Sequence, residues 1–399
     1  MSTHSYTLSG YGPRSRSVWD RLTGRDSVVW RLDWIMIGSG IVLSVIGSLL
    51  VWSATRNRTD LNQGDPYYFL TRHFLSLVVG LLLMGGMVWL GHRRVRGAVP
   101  VLYGATLVLA LLVLTPLGAT INGQRAWIQL GAGFSIQPAE FIKITVILAM
   151  AMLLAARVDA GDLDHPAHRT VLQSLGIAAA PIVVIMLMPD LGSVMVMVVI
   201  VLGVLLASGA SNRWIIGLCT AGAGGAVLVW VLGLLDEYQI NRFAAFANPA
   251  LDPAGVGYNT NQARIAIGSG GLLGKGLMNG TQTTGQFVPE QQTDFVFTVA
   301  GEELGFVGGL LIIVLLGVVI WRACRIARES NELYSTVVAA GIIAWFAFQS
   351  FENIGMTLGI MPVAGLPLPF VSYGGTSMFA VWIAVGLLQS IRVQRPVAG

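Results

Sequence analysis

The chain has 399 residues, 54% of them hydrophobic and 11% charged, with a formal net charge of +4 and a mean hydropathy of +0.71. An average soluble domain carries about 25% charged residues, so a disordered chain is excluded, a soluble enzyme is disfavoured, and the mild charge gives no reason to expect nucleic acid. Two cysteines, Cys219 and Cys324, stand in no metal-ligand spacing, which removes a disulfide framework and a thiolate metal site.

Residues 1–33 read as a polar cytoplasmic tail carrying Arg14, Arg16, Arg21, Arg25 and Arg31. The first apolar run starts only near Trp34, later than in a signal peptide, so the first helix is expected to remain uncleaved. About 20 apolar residues cross a bilayer core. On that rule the chain is expected to be an all-α integral membrane protein. Its single membrane domain, 34–395, would have ten transmembrane helices near 34–54, 74–91, 99–118, 138–156, 171–188, 193–210, 214–235, 295–321, 336–358 and 376–391.

Basic residues favour the inner side of a membrane. With the N-terminus inside, inner segments hold 16 Lys and Arg against seven in outer segments, so both termini are expected in the cytoplasm. Three outer loops then carry the unusual sequence. They are 119–137, with Gly123, Arg125, Trp127 and Gln137, the large extracytoplasmic loop 236–294 between helices 7 and 8, and 359–375. Long loops of this kind are usually functional. No paired broken helices or inverted repeat of the transporter type is visible.

Ionisable groups at membrane depth are costly and mark functional sites by default. Glu140 and Lys143 lie three residues apart, on one helix face. They are either a self-neutralising ion pair or, with Lys143 facing a cavity, part of an anion site. Asp190 follows Pro189 at a helix start, where it either caps the helix or serves a site. Glu302 and Glu303 fall about two turns into the eighth span and Glu352 in the ninth. The glycine-rich stretch 263–276 lacks Walker spacing, so phosphate cradling by its amides is only a weak signal. Asp294 stands at the mouth of the eighth span, as its N-cap or as a catalyst, and Thr293 is an alternative cap.

The stretches GQRAWIQLGAGFSIQPAEFIK (123–143), PDLGS (189–193), NPALDPAGVGYNTNQARIAIGSGGLLGKGLMNGTQ (248–282), FVPEQQTDFVFTVAGEELGFVG (287–308) and MPVAGLPLPFVSYGGTS (361–377) resemble the SEDS family (shape, elongation, division and sporulation). The GKG and GTQ elements and PVAGLPLPF look more RodA-like than FtsW-like. The resemblance implies a peptidoglycan glycosyltransferase of the bacterial cytoplasmic membrane that polymerises lipid II, an undecaprenyl-pyrophosphate disaccharide-pentapeptide. It also implies a class B penicillin-binding protein as partner. The family's essential Asp falls on Asp294, although Gln292 stands where many members have His. Its other motif positions fall on Arg125, Trp127, Gln137, Glu140, Lys143 and Asp190. Lys275 and Glu290 stand in matching stretches and join the expected substrate-binding set.

The chemistry suits these residues. A carboxylate, Asp294, can take the proton from an acceptor hydroxyl as general base, and Arg125 and Lys143 can stabilise the departing pyrophosphate. A single base opposite the leaving group predicts inversion. No residue spacing provides a protein-held metal, although a divalent cation at the pyrophosphate is compatible with the reaction. A lipid II flippase, an FtsW-like division polymerase and a non-catalytic scaffold remain as alternatives.

Overall fold

The computed structural model describes residues 28–62, 64–121, 124–131, 134–233 and 256–394. The tail up to residue 27, Gly123, Arg242 and the first part of the expected large loop, with NPALDPAG (248–255), lie outside the described residues. After a short turn, α1 (Val28–Arg31), come α2 (Trp34–Thr55), α3 (Thr59–Asn62), α4 (Tyr68–Leu90) and α5 (His92–Val113). Strands β1 (Gly118–Ile121), β2 (Gln124–Gly131) and β3 (Phe134–Ile136) follow. Then come α6 (Pro138–Asp159), α7 (His168–Met186), α8 (Leu191–Ala207) and α9 (Asn212–Val231). The last part holds α10 (Val256–Gly270), α11 (Thr281–Thr284), α12 (Val296–Glu303), α13 (Gly305–Arg328), α14 (Leu333–Leu358) and α15 (Gly375–Val393).

Each expected span overlaps helix, although the third runs on past the end of α5 at Val113 to the first residue of β1, and the described residues are mostly helical. Eight helices among the described residues (α2, α4, α5, α6, α7, α13, α14 and α15) are long and apolar enough to cross a membrane, and α8 is apolar but has 17 residues. This is a multi-pass membrane protein. Lipid is as apolar as leucine, so its helices associate through close packing and hydrogen bonds rather than hydrophobic burial. The α4–α15 pair shows this. A Cβ on Gly80 would lie 2.7 Å from Trp382 Cδ1, and one on Gly386 would lie 2.8 Å from the Met84 carbonyl. Glycine is what lets these two helices touch. Helix α14 packs on α6, α8 and α13, and α13 packs on α2. Tyr334, Trp345 and Trp382 are the largest side chains wholly buried between the helices.

The structure departs from the expected plan of unbroken spans joined by loops in three places. First, 118–136 is a three-stranded antiparallel sheet in the order β1-β2-β3, with Gly118 opposite Ile128 and Ile128 opposite Ile136. Thr120, Trp127, Ile128 and Ile136 are β-branched or aromatic residues that suit a pleated surface. The sheet sits over the start of α15, where Thr376 Oγ1 donates to the Ser135 carbonyl at 3.0 Å. Second, the large loop holds two helices, α10 and α11.

Third, the eighth span is broken between α12 and α13 at Gly305, whose φ is +68°. Backbone groups in a membrane must find partners within the protein, and the glycine-rich segment 271–276 supplies them. Its Lys275 and Gly276 amides donate to the Glu302 and Glu303 carbonyls at the end of α12 (3.0 Å each). Its Gly271 and Leu272 carbonyls accept from the Phe306 and Val307 amides at the start of α13 (2.9 and 3.1 Å). A Cβ on Gly305 would stand 2.2 Å from the Gly274 nitrogen. The glycines therefore splice a helix break.

At one end of the helices Asp33, 1% exposed, is a three-way joint. It caps α2 by accepting from the Met36 amide at 3.2 Å. Both its oxygens accept from Arg322 Nε on α13 (2.9 and 2.7 Å), and Oδ2 accepts from Arg392 Nη1 on α15 at 2.5 Å. The Arg93–Glu332 and Arg96–Asp159 ion pairs mark the same end.

Candidate active site

At the opposite end, the segment before α12 is held from two sides. The Glu290 carbonyl accepts from the amides of Thr293, Asp294 and Phe295 (3.2, 3.1 and 3.2 Å), with Glu290 itself at φ +51°. Three successive carbonyls of the segment then each accept a hydrogen bond from α14 or the 359–375 loop. The Gln292 carbonyl accepts from the Tyr373 amide at 2.8 Å. The Thr293 carbonyl accepts from Ser372 Oγ at 2.5 Å, and that of Asp294 from Asn353 Nδ2 at 2.8 Å. Asn353 Nδ2 also donates to the Leu366 carbonyl at 2.7 Å. The Asp294 side chain is half-buried and so reaches the surface. Its Oδ2 lies 3.4 Å from the place a Cβ on Gly365 would take, and Gly365 has φ +70°. A glycine there leaves room beside the carboxylate.

Asp294 does not hold the N-cap position of α12. Phe295 is the N-cap residue and makes no side-chain capping bond, and Thr293 Oγ1 is turned to Glu290 Oε2 at 3.1 Å. Glu290 also accepts from Gln292 Nε2 at 3.2 Å. Glu290 thus organises the turn that carries Asp294.

Asp190 is the N-cap of α8, accepting from the Ser193 amide (3.0 Å) and hydroxyl (2.7 Å). It also accepts from Gln137 Nε2 at 3.3 Å, which joins two of the expected site residues. Gln137 is tied to α15 through its amide, which donates to Thr376 Oγ1 at 3.3 Å. Trp127 lies half-buried on β2, opposite Ala119. Arg125, also half-buried on β2, donates from Nη2 to the Thr115 carbonyl at 2.5 Å.

Lys143 is fully buried, and its ammonium donates to Glu140 Oε1 at 2.7 Å and to Gln349 Oε1 at 3.0 Å. It also stands 4.7 Å from the centre of the Trp345 ring. Of the two readings open at the outset, these contacts form the ion pair. Lys275 donates to Glu302 Oε1 at 2.8 Å and Thr281 Oγ1 at 2.7 Å. Glu302, wholly buried, also accepts from the amides of Gln282 and Thr283. Glu303 accepts from Ser53 Oγ on α2 at 2.5 Å. Among the described residues no group of three His, Cys, Asp or Glu stands together as a metal site.

Sequence reasoning missed the aromatic wall beside this site. Tyr373 packs edge-on against Phe69 (4.9 Å between ring centres) and is stacked on His73 (6.1 Å). Burial pushes the Tyr373 phenol up, and the Arg72 guanidinium works against that shift. His73 is buried and both its ring nitrogens lack a hydrogen-bond partner among the described residues. Its place within an apolar span was the signal that could have drawn attention to it. Asn353 and Ser372 gave no comparable signal.

The chain is similar to known proteins along most of its length. The chain is 36% identical over 360 residues to stage V sporulation protein E of Bacillus subtilis, covering 90% of this chain and 96% of that one. It is 33% identical over 383 residues to the peptidoglycan glycosyltransferase MrdB of Escherichia coli, covering 96% and 97%. A solved structure described as "Structural coordination of polymerization and crosslinking by a peptidoglycan synthase complex" aligns with a TM-score of 0.74 at 30% identity. That alignment covers 90% of this chain and 97% of that one. The family model described as "Cell cycle protein" (FtsW, RodA and SpoVE) matches residues 33–396, and the chain belongs to this family.

Proposed function

We propose that the protein is a peptidoglycan glycosyltransferase that polymerises lipid II for cell-wall elongation, with Asp294 as general base. The observation that carries this reading is the surface-reaching Asp294 carboxylate on a segment locked by hydrogen bonds on both sides. A base held in one geometry is what proton abstraction from an acceptor hydroxyl requires. Attack opposite the pyrophosphate gives inversion. The MrdB name and the peptidoglycan synthase neighbour support the reaction class.

Arg125 is the cation best placed in sequence and exposure to meet the leaving pyrophosphate, because Lys143 is buried in its ion pair. Lys143 and Glu140 then support the helix from inside. Lys275 and Glu302 fix the α12–α13 break, and Gln137 with Asp190 anchors the sheet to α8. A divalent cation, where present, enters with the pyrophosphate.

The reading includes ten spans, both termini in the cytoplasm and the Asp294 end outside. The excess of basic residues in the expected inner segments supports it, as does the gathering of Arg93, Arg96, Arg322 and Arg392 at the other end. A class B penicillin-binding protein is the partner in this reading, supported by the polymerisation-and-crosslinking complex that the fold resembles. Incubation of purified protein with lipid II tests the function. Glycan polymer is expected from the wild type and none from Asp294→Asn, while transbilayer movement without polymer would overturn the proposal.

A further inference from the structure

We propose that the groove between the first turns of α7 and α9 binds one anionic glycerophospholipid. Its placement in the inner leaflet rests on the orientation proposed above; the site itself does not. A cavity of about 470 Å³ opens there, lined by His168, Arg213, Trp214, Gly217 and Leu218. Arg213 is exposed and has no ion pair or hydrogen bond among the described residues. The Trp214 indole donates to His168 Nδ1 at 3.0 Å, which leaves the proton on Nε2 and makes that nitrogen a donor. The acidic residues of the preceding turn, Asp162 and Asp164, line no part of the cavity. The rim therefore offers donors and positive charge, and no acid.

The floor is apolar and continues along the helix. Trp214, Gly217 and Leu218 are spaced three and four apart and so share one face of α9. Small residues in membrane helices usually mark close contact with another helix. Here a Cβ on Gly217, Gly222, Gly224 or Gly225 would meet nothing within 4 Å, so this face is open. A cationic, aromatic rim over an open apolar track matches a phosphate joined to an acyl chain. Basic pockets between membrane helices are known to take anionic headgroups. A transmembrane helix from another protein would need the track but has no use for the rim.

Native mass spectrometry of the full chain in detergent tests this, titrated with phosphatidylglycerol or phosphatidylcholine. The wild type is expected to retain one phosphatidylglycerol in preference to phosphatidylcholine. Arg213→Ala should weaken that retention about fivefold, the usual worth of one basic side chain at an anionic lipid, and Trp214→Ala should also weaken it. Arg328→Ala, an exposed arginine on α13, should not. Equal retention of the two lipids, or an equal loss from Arg328→Ala, would overturn the proposal. So would a co-purified protein helix protecting Cys219, which is exposed on α9, from thiol reagents. Melting curves verify that each variant is folded. The readout needs neither lipid II turnover nor a defined orientation, so its failure and that of the proposed function are separable.

Discussion

Asn353 uses one amide nitrogen to hold two strands of backbone together, donating to the Asp294 carbonyl at 2.8 Å and to the Leu366 carbonyl at 2.7 Å. Asn353→Leu keeps the approximate volume and removes both donors. Each buried carbonyl left without a partner costs about 1–3 kcal/mol, so the melting temperature should fall. A carboxylate displaced by about 1 Å can lose about 10²-fold in rate, so turnover should fall further than lipid II binding. Wild-type turnover in a folded Asn353→Leu protein would show that the tie does not position the base.

Asp294→Asn should leave the melting temperature near that of wild type, because asparagine keeps the size of the side chain and Phe295, not Asp294, is the N-cap residue of α12. General base catalysis is worth about 10²–10⁴-fold, and polymerisation should drop by that order with lipid II binding retained. Steady-state rates alongside a binding isotherm measure the two separately. Near-normal polymerisation would place the base elsewhere.

Breaking the Glu140–Lys143 pair from one side should be severe. Both groups are essentially unexposed, and removal of one partner of a buried pair costs about 3–5 kcal/mol. Lys143→Met alone should yield little folded protein. The double variant Lys143→Met with Glu140→Gln should recover it, and recovery with activity would confine Lys143 to a structural role. Inactive but well-folded double variant would instead return Lys143 to the anion site.

Arg125 has only a backbone carbonyl as its partner among the described residues. Arg125→Ala should lower turnover with little change in stability, and Arg125→Lys should restore only part of it, since a point charge replaces a planar fork. Equal activity of all three proteins would remove Arg125 from the site.

The orientation can be read chemically. Thr284 is exposed on α11. In a background without Cys219 and Cys324, Thr284→Cys should react with an impermeant thiol reagent on intact cells from which any outer barrier has been removed. Labelling only after the inner membrane is opened would reverse the orientation.

The helices were legible because an apolar run declares itself residue by residue, as from Trp34 to Thr55. Asp294, Arg125 and Gln137 were legible as a motif, and the Glu140–Lys143 pair as a three-residue spacing. The break at Gly305 was not, because Val296 to Val319 reads as one span that Glu302 and Glu303 alone interrupt with charge, and the partners of the break come from 271–276. The sheet was hidden for a similar reason, since its strands are short and their pairing is a property of the folded loop. Asn353 is the clearest case. Its value lies in two carbonyls, one 59 residues before it and one 13 residues after it, and no local pattern reports them.

The Asp33 joint also constrains the order in which the molecule can be assembled. Asp33 enters with the first long helix, yet its partners Arg322 and Arg392 arrive 289 and 359 residues later. Until α13 and α15 are in place, the carboxylate must stay at the aqueous edge, because an unpaired charge is too costly to bury. The Asp33 joint is therefore among the last contacts of α2 to form. A nascent chain stopped before Arg322 should carry an Asp33 open to solvent, and completion of α15 would close the first helix and the last into one body.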